Sequence, residues 1–260
     1  MTHDAPARTP RGATTTARTA ATAAGGSRPH SEVLRVKIDL LIPRFWTLTA
    51  RLWQSESVAE LYPRYLCMLH GAIRATVPLM DLALERAEAL ADTDPVAAGL
   101  ARYLVRHRRE EQGHDQWVRE DLAAIGQDPD TLLAAMPSPA VANLVGAQYY
   151  WIRHHHPVAL LGHIAILEGY PPSPELAGVL QARTGYPAEG FRTLRRHTVL
   201  DVRHRDELLQ TIDALPLQPR HHTTVGVSAL HTLQGAMDLF EELLAAEPAP
   251  VPPVAAAQTV

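Results

Sequence analysis

One cysteine, Cys67, is all that 260 residues contain, which excludes an internal disulfide and a metal cluster built on several thiolates. No apolar run approaches the roughly 18 residues that would suggest a membrane span. The start also lacks the continuous apolar stretch of a secretory signal, so a soluble, cytoplasmic chain is expected. An excess of one charge is missing too. The balance is 24 basic against 28 acidic side chains, net −4, which argues against a nucleic-acid polyanion as main partner. Asn-Gly and Asp-Gly hairpin turns do not occur, nor does sustained apolar–polar alternation, and both absences weigh against a β fold. What the chain does have is 46% hydrophobic residues, enough for a sizeable core, and 14 histidines, an unusual number.

The two ends differ from the middle. Residues 1–31 are rich in Ala, Thr, Arg, Pro and Gly, and 247–260 in Pro and Ala; neither can bury enough surface to offset its ordering entropy, so both are expected to be disordered tails. Between them, residues 32–246 read as one helical domain, with apolar positions recurring at three- and four-residue steps. Proline punctuation divides this stretch into helices near 34–53, 55–90 (bent at Pro63 and Pro78), 94–125, 138–155, 157–169, 173–184, 188–213 and 223–245. Asp94 followed by Pro95 is a good helix start, and Gly126 a matching stop. The expected fold is an all-α bundle of seven to eight helices.

Polar residues on three of these helices form a pattern. Glu111 and His114, three residues apart, fall about 60° apart on a helix, the way a bundle presents a carboxylate and an imidazole to one metal ion. A charged helix face also supplies such a pair by chance, and Glu110 and His107 lie near the same face as alternates. His197, Asp201 and His204, at steps of four and three, share one stripe within roughly 60°. Against that stands a surface helix rich in Arg, Asp and His. Glu168 ends an otherwise apolar helix, where a carboxylate is expected to be buried and to need a cation or a raised pKa; its plain alternative is a helix-end marker before Gly169. Imidazole and carboxylate donors without thiolate suit iron or manganese, and two carboxylates could bridge a metal pair.

The order Glu111-x-x-His114, Glu168, His197-x-x-x-Asp201-x-x-His204, with the strings EEQGHDQW, GAQYYWIRHHHPVALLGHIAILEGYPP and RRHTVLDVRHRDEL, resembles the haem-oxygenase-like di-iron oxidases, or iron-containing redox enzymes, over about residues 55–245. The resemblance implies a haem-oxygenase-like bundle and two Fe2+ ions held by Glu111, His114, Glu168, His197, Asp201 and His204, with O2 as co-substrate. It also implies oxidation of a small molecule in specialised metabolism, by N-oxygenation of an amine or by oxidative C–C cleavage of an amino acid or fatty acid, with an external electron donor or substrate-derived electrons. Some members carry the first carboxylate seven residues before the histidine, where this chain has His107, so Glu111, Glu110 and His107 all stand as first-ligand candidates.

Other residues have plainer readings. His154, His155 and His156 point three ways and cannot form one metal face; Tyr150 or Trp151 could line a pocket but more often pack in a core. His70 and His163 read as structural, and His221, His222 and His231 as loop or surface residues. Arg74 could meet a substrate carboxylate or simply face solvent. Two other function classes compete with the oxidase: a metal-free small-molecule enzyme of the same fold, and a helical interaction protein. A homodimer is compatible with any of them.

Overall fold

In the computed structural model, residues 28–246 are described. Apart from residues 28–31, the expected tails lie outside them, and His30 already opens the first helix. Among the described residues there are twelve α-helices and no strand: α1 (His30–Asp39), α2 (Ile42–Gln54), α3 (Val58–Ile73), α4 (Thr76–Leu90), α5 (Pro95–Glu110), α6 (His114–Ala124), α7 (Pro129–Ala134), α8 (Pro139–His154), α9 (Ala159–Leu167), α10 (Leu176–Thr184), α11 (Arg192–Ala214) and α12 (Pro219–Ala245), with a 3-10 turn at Ala188–Phe191 before α11.

The count exceeds seven or eight partly because three expected long helices are broken. The first breaks at Leu40–Leu41 and the second at Arg74–Ala75. Pro78 accounts for the second break: it has no N–H to give residue 74, and its ring crowds that carbonyl, so the helix restarts with Pro78 in its first turn. Pro63, by contrast, is accommodated inside α3. The third break falls between α5 and α6, where Gly113 adopts φ +84°, a left-handed conformation that a residue with a Cβ enters only at a cost. Starts follow the expected chemistry. Asp94 accepts hydrogen bonds from the N–H groups of Val96 (2.8 Å) and Ala97 (3.2 Å), and Pro95 sits in the first turn.

α9 is the most apolar helix, buried at every position from Ala159 to Ile166, and it packs between α12, α8 and α11. A Cβ on Gly162 would lie 2.2 Å from the Val225 carbonyl oxygen and 2.7 Å from Ala229 N, so the backbones of α9 and α12 touch there. α11 lies against α5, α6 and α9. Its first turn is tied down by a carboxylate from another helix: Asp121 of α6, fully buried, accepts from the N–H groups of Arg192 (3.1 Å) and Thr193 (2.9 Å). These packings bring the α5–α6 turn, the end of α9 and the middle of α11 together. Residues 58–90 contain an 18-residue stretch of mean hydropathy 1.2, long and apolar enough to cross a membrane, but they form two helices whose Leu61, Tyr62, Leu66, Leu79 and Met80 are buried in the core.

Candidate metal centre

Glu111 caps the C-terminus of α5 and His114 begins α6, so the expected continuous helix under this pair is replaced by a turn. The turn still brings them together, with His114 Nδ1 3.0 Å from Glu111 Oε2. Glu168 caps the C-terminus of α9, where it is buried as expected from its apolar run. α11 is unbroken and carries His197, Asp201 and His204 on its inward side; Asp201 and His204 are fully buried and His197 is half-buried.

The three sources converge. His204 Nδ1 lies 3.3 Å from both Glu111 Oε1 and Glu168 Oε2, and the His114 and His197 rings meet edge-on with centroids 5.2 Å apart. Asp201 is close enough to Glu168 and Glu111 to feel their charge, which adds to burial in lifting its carboxyl to about 9. Burial alone would raise Glu168 as well, but the His107 and His204 imidazoles overcome it and hold that carboxyl at about 2. For His204 burial works downward, yet Glu168, Glu111 and Glu110 together hold the imidazole above its ordinary value.

His107, kept open in the sequence as an alternate first ligand, belongs to this cluster. It is wholly buried, with Nε2 3.0 Å from Glu168 Oε2. The ligand atoms of His107, Glu111, Glu168 and His204 all lie within 4.8 Å of one another. Glu110 stands behind them, half-buried, with Oε2 3.3 Å from His204 Nε2. The sequence under-weighted His107 because His-Arg-Arg-Glu-Glu reads as a solvated face; the signal that could have favoured it is its spacing of four from Glu111.

The orphaned atoms test whether a cation fits. Glu168 Oε2, Asp201 Oδ1, His114 Nδ1 and His204 Nδ1 are all buried without a hydrogen bond, although several approach one another closely. Buried polar atoms that crowd together yet are not aimed at each other suit donors sharing a cation at their centre. His197 fits the same role: its Nδ1–H donates to the Thr193 carbonyl at 2.8 Å, leaving Nε2 a free lone pair. The donor set, nitrogen and oxygen without sulfur, matches iron.

Part of the cluster forms the floor of a cavity of about 600 Å3, where Glu111, Glu168, His197 and Asp201 are exposed to its interior. The walls include Phe45, Trp46 and Trp53 of α2, Tyr65 of α3 and Phe240 of α12. Trp53 sets its ring edge-on to Tyr65 (4.8 Å) and to Phe240 (6.0 Å). Among the described residues, no lysine or arginine lines it. Neither Tyr150 nor Trp151 does: Tyr150 is exposed, and Trp151 packs on His231. Phe45, Thr49 and Trp53 of α2 recur at four-residue steps, a pattern that reads equally well as core. Arg74 lies instead on a second cavity of about 650 Å3, beside Arg64 and His70. His163 is buried on the main cavity, with burial pushing its imidazole down to about 4 and Nδ1 3.0 Å from Thr232 Oγ1.

A second His/Asp group, Asp94, His156 and His221, is spoken for by caps. The Val158 N–H donates to His156 Nδ1 (3.0 Å) and the Gln218 N–H to His221 Nδ1 (3.2 Å). The neutral His156 ring then carries its proton on Nε2 and donates it to Asp94 Oδ2 at 3.0 Å, while His221 Nε2 accepts from the Arg220 guanidinium at 3.2 Å. His221 is therefore buried in the first turn of α12 rather than at the surface as expected.

Residues 84–237, more than half the chain, match the family described as iron-containing redox enzyme. The chain belongs to that family. Its fold is haem-oxygenase-like: a domain of unknown function with that fold from Shewanella denitrificans superposes with a TM-score of 0.68 at 16% identity, covering 82% of this chain and 89% of that one. A TenA homologue from Pseudomonas syringae pv. tomato gives 0.61 at 14% identity, covering 80% of this chain and 93% of that one. A CADD-like protein of unknown function from Nostoc punctiforme gives 0.61 at 15%, covering 82% and 96%. No protein of curated function matches the sequence.

Proposed function

We propose that this member of the iron-containing redox enzymes is a di-iron, O2-dependent oxidase that N-oxygenates a small amine with an apolar body. The observation that carries the reading is the convergence of orphaned carboxylate and imidazole atoms at the floor of a largely apolar cavity. Glu111, His114, Glu168, His197, Asp201 and His204 would hold two iron ions, which when bound supply the O2 activation and electron transfer that no side chain provides. The chain's own work is to position and exclude. Phe45, Trp53, Tyr65 and Phe240 displace water from the substrate body. Trp46 and its aromatic neighbours line the wall that an amine would pass on its way to the carboxylates. Asp201, protonated at neutral pH without a cation, gives up that proton to bind one.

The reaction balances as R–NH2 + O2 + 2 electrons + 2 protons giving R–NHOH + H2O, with the electrons from an external reductant. Oxidative C–C cleavage of an apolar carboxylic acid is the second reading. It requires the acid to bind at the metals themselves, because the described residues of the cavity wall include no lysine or arginine for a carboxylate. The same absence disfavours zwitterionic amino acids, whose second charge would have no partner. The test is turnover of iron-loaded protein with O2 and a reductant on apolar amines, fatty acids and amino acids, read by mass spectrometry. A product 16 mass units heavier from an apolar amine is expected; CO2 release from a fatty acid, with amines untouched, would favour cleavage instead.

A further inference from the structure

One polar residue interrupts the apolar run of α9. His163 is only 4% exposed, and its neighbours from Ala159 to Ile166 are all aliphatic or glycine. It lines the main cavity but stands apart from the converging donors, five residues and about 7.5 Å along the helix axis before Glu168. An aliphatic side chain would fill this place without needing any partner.

A buried chain of hydrogen bonds holds the ring. The Ser228 hydroxyl donates to Gln148 Oε1 at 2.9 Å, Gln148 Nε2 donates to Thr232 Oγ1 at 3.3 Å, and Thr232 Oγ1 lies 3.0 Å from His163 Nδ1. Ser228, Gln148 and Thr232 are fully buried, and the chain ties α8, α9 and α12 together. It also has one direction. Thr232 receives its bond from Gln148, so its own proton goes to His163 Nδ1, and the ring carries its proton on Nε2. Burial pushes the imidazole down to about 4, which keeps the ring neutral near pH 7. Among the described residues Nε2 has no partner, and the cavity is where a ligand atom can supply one.

Resting on the reading of this cavity as the substrate site, we infer that His163 binds substrate, its Nε2–H donating to an acceptor oxygen in the substrate body. Thr232 is a positioning residue that fixes the donor tautomer. The substrate class narrows accordingly, to an amine whose otherwise apolar chain carries one ether, carbonyl or hydroxyl oxygen several bonds from the reacting nitrogen. An ammonium gains nothing from a neutral N–H donor, so such a molecule binds in one direction, nitrogen towards Glu111, Glu168 and Asp201 and oxygen towards the middle of α9.

The test compares n-octylamine with amines of the same length in which one methylene is replaced by an ether oxygen, such as 3-butoxypropylamine. An ether accepts but cannot donate, so it reads the tautomer. Binding to the full-length chain, anaerobic and supplied with Fe2+, is followed by tryptophan fluorescence, since Trp46 and Trp53 line the cavity. In the wild type the ether-to-octylamine affinity ratio is expected to peak at one oxygen position. At that position Thr232→Val and His163→Phe are expected to lower the ratio about tenfold while leaving n-octylamine binding unchanged. A purely structural role would weaken every probe alike. Thr232→Val keeps the side-chain shape and covers the case in which His163→Phe fails to fold. A ratio indifferent to oxygen position, or untouched by both substitutions, would overturn the inference and leave the cavity as an amine site. Binding of neither n-octylamine nor any ether amine would overturn both.

Discussion

Glu168 is the residue on which most of the centre depends. It is one side chain in contact with imidazoles from two helices, His107 on α5 and His204 on α11. Exchanging it for Gln keeps its size but removes the charge that those imidazoles and a bound cation face. Glu168→Gln is predicted to lower metal affinity at least tenfold, measured by equilibrium dialysis, while the far-ultraviolet circular dichroism of the apo chain stays helical. This residue was legible in the sequence because a carboxylate at the end of VALLGHIAILEGY has no solvated face to explain it. His107 was much less so. Its neighbours Arg106, Arg108 and Arg109 disguise a wholly buried imidazole, and only the folding of α5 against α9 and α11 shows which side it faces. The opposite error occurred at His221, where a histidine in a basic, polar stretch proved to be a buried cap.

At the scale of elements, caps and close approaches place the ligands. Asp94 starts α5, the helix that carries His107, and Asp94→Ala is predicted to cost about 1 kcal/mol in denaturant unfolding. Burial would raise the Asp94 carboxyl, but the hydrogen bonds from His156 and from the Ala97 and Val96 N–H groups hold it below the ordinary carboxylate value. The folded state thus binds that proton less readily than the unfolded chain. The contribution is complete above about pH 4 and is lost as pH falls through the depressed folded value. The stability difference between wild type and Asp94→Asn should therefore shrink as pH falls from 5 to 3; a difference that grew over that range would contradict the assignment. Gly162 sets how closely α9 approaches α12. Gly162→Ala puts a methyl group into the Val225 carbonyl, and is predicted to destabilise by about 1–3 kcal/mol and to lower metal loading by displacing Glu168. Helical periodicity and prolines revealed these elements, but not all their ends. The break before His114 depends on Gly113 entering a left-handed conformation, and a glycine inside an otherwise helical pattern does not announce that.

For the molecule as a whole, the all-α class was readable because the apolar steps of three and four run almost the length of the described chain. The cavity was not, since an aromatic facing a void and one facing a neighbour carry the same periodicity. α2, which had no functional role in the sequence reading, supplies Phe45, Trp46 and Trp53 to its wall. Trp46→Ala is predicted to raise KM for an apolar amine substrate about tenfold with iron content unchanged, an outcome that separates substrate binding from metal binding. The iron centre itself is the claim on which the rest stands. Its most direct test is iron counted per chain after anaerobic Fe2+ reconstitution and desalting, in the wild type and in a Glu168→Ala, His204→Ala double variant. Close to two irons per chain in the wild type and almost none in the double variant is the predicted result. A wild type that retains no iron, or a double variant that retains as much as the wild type, would contradict it.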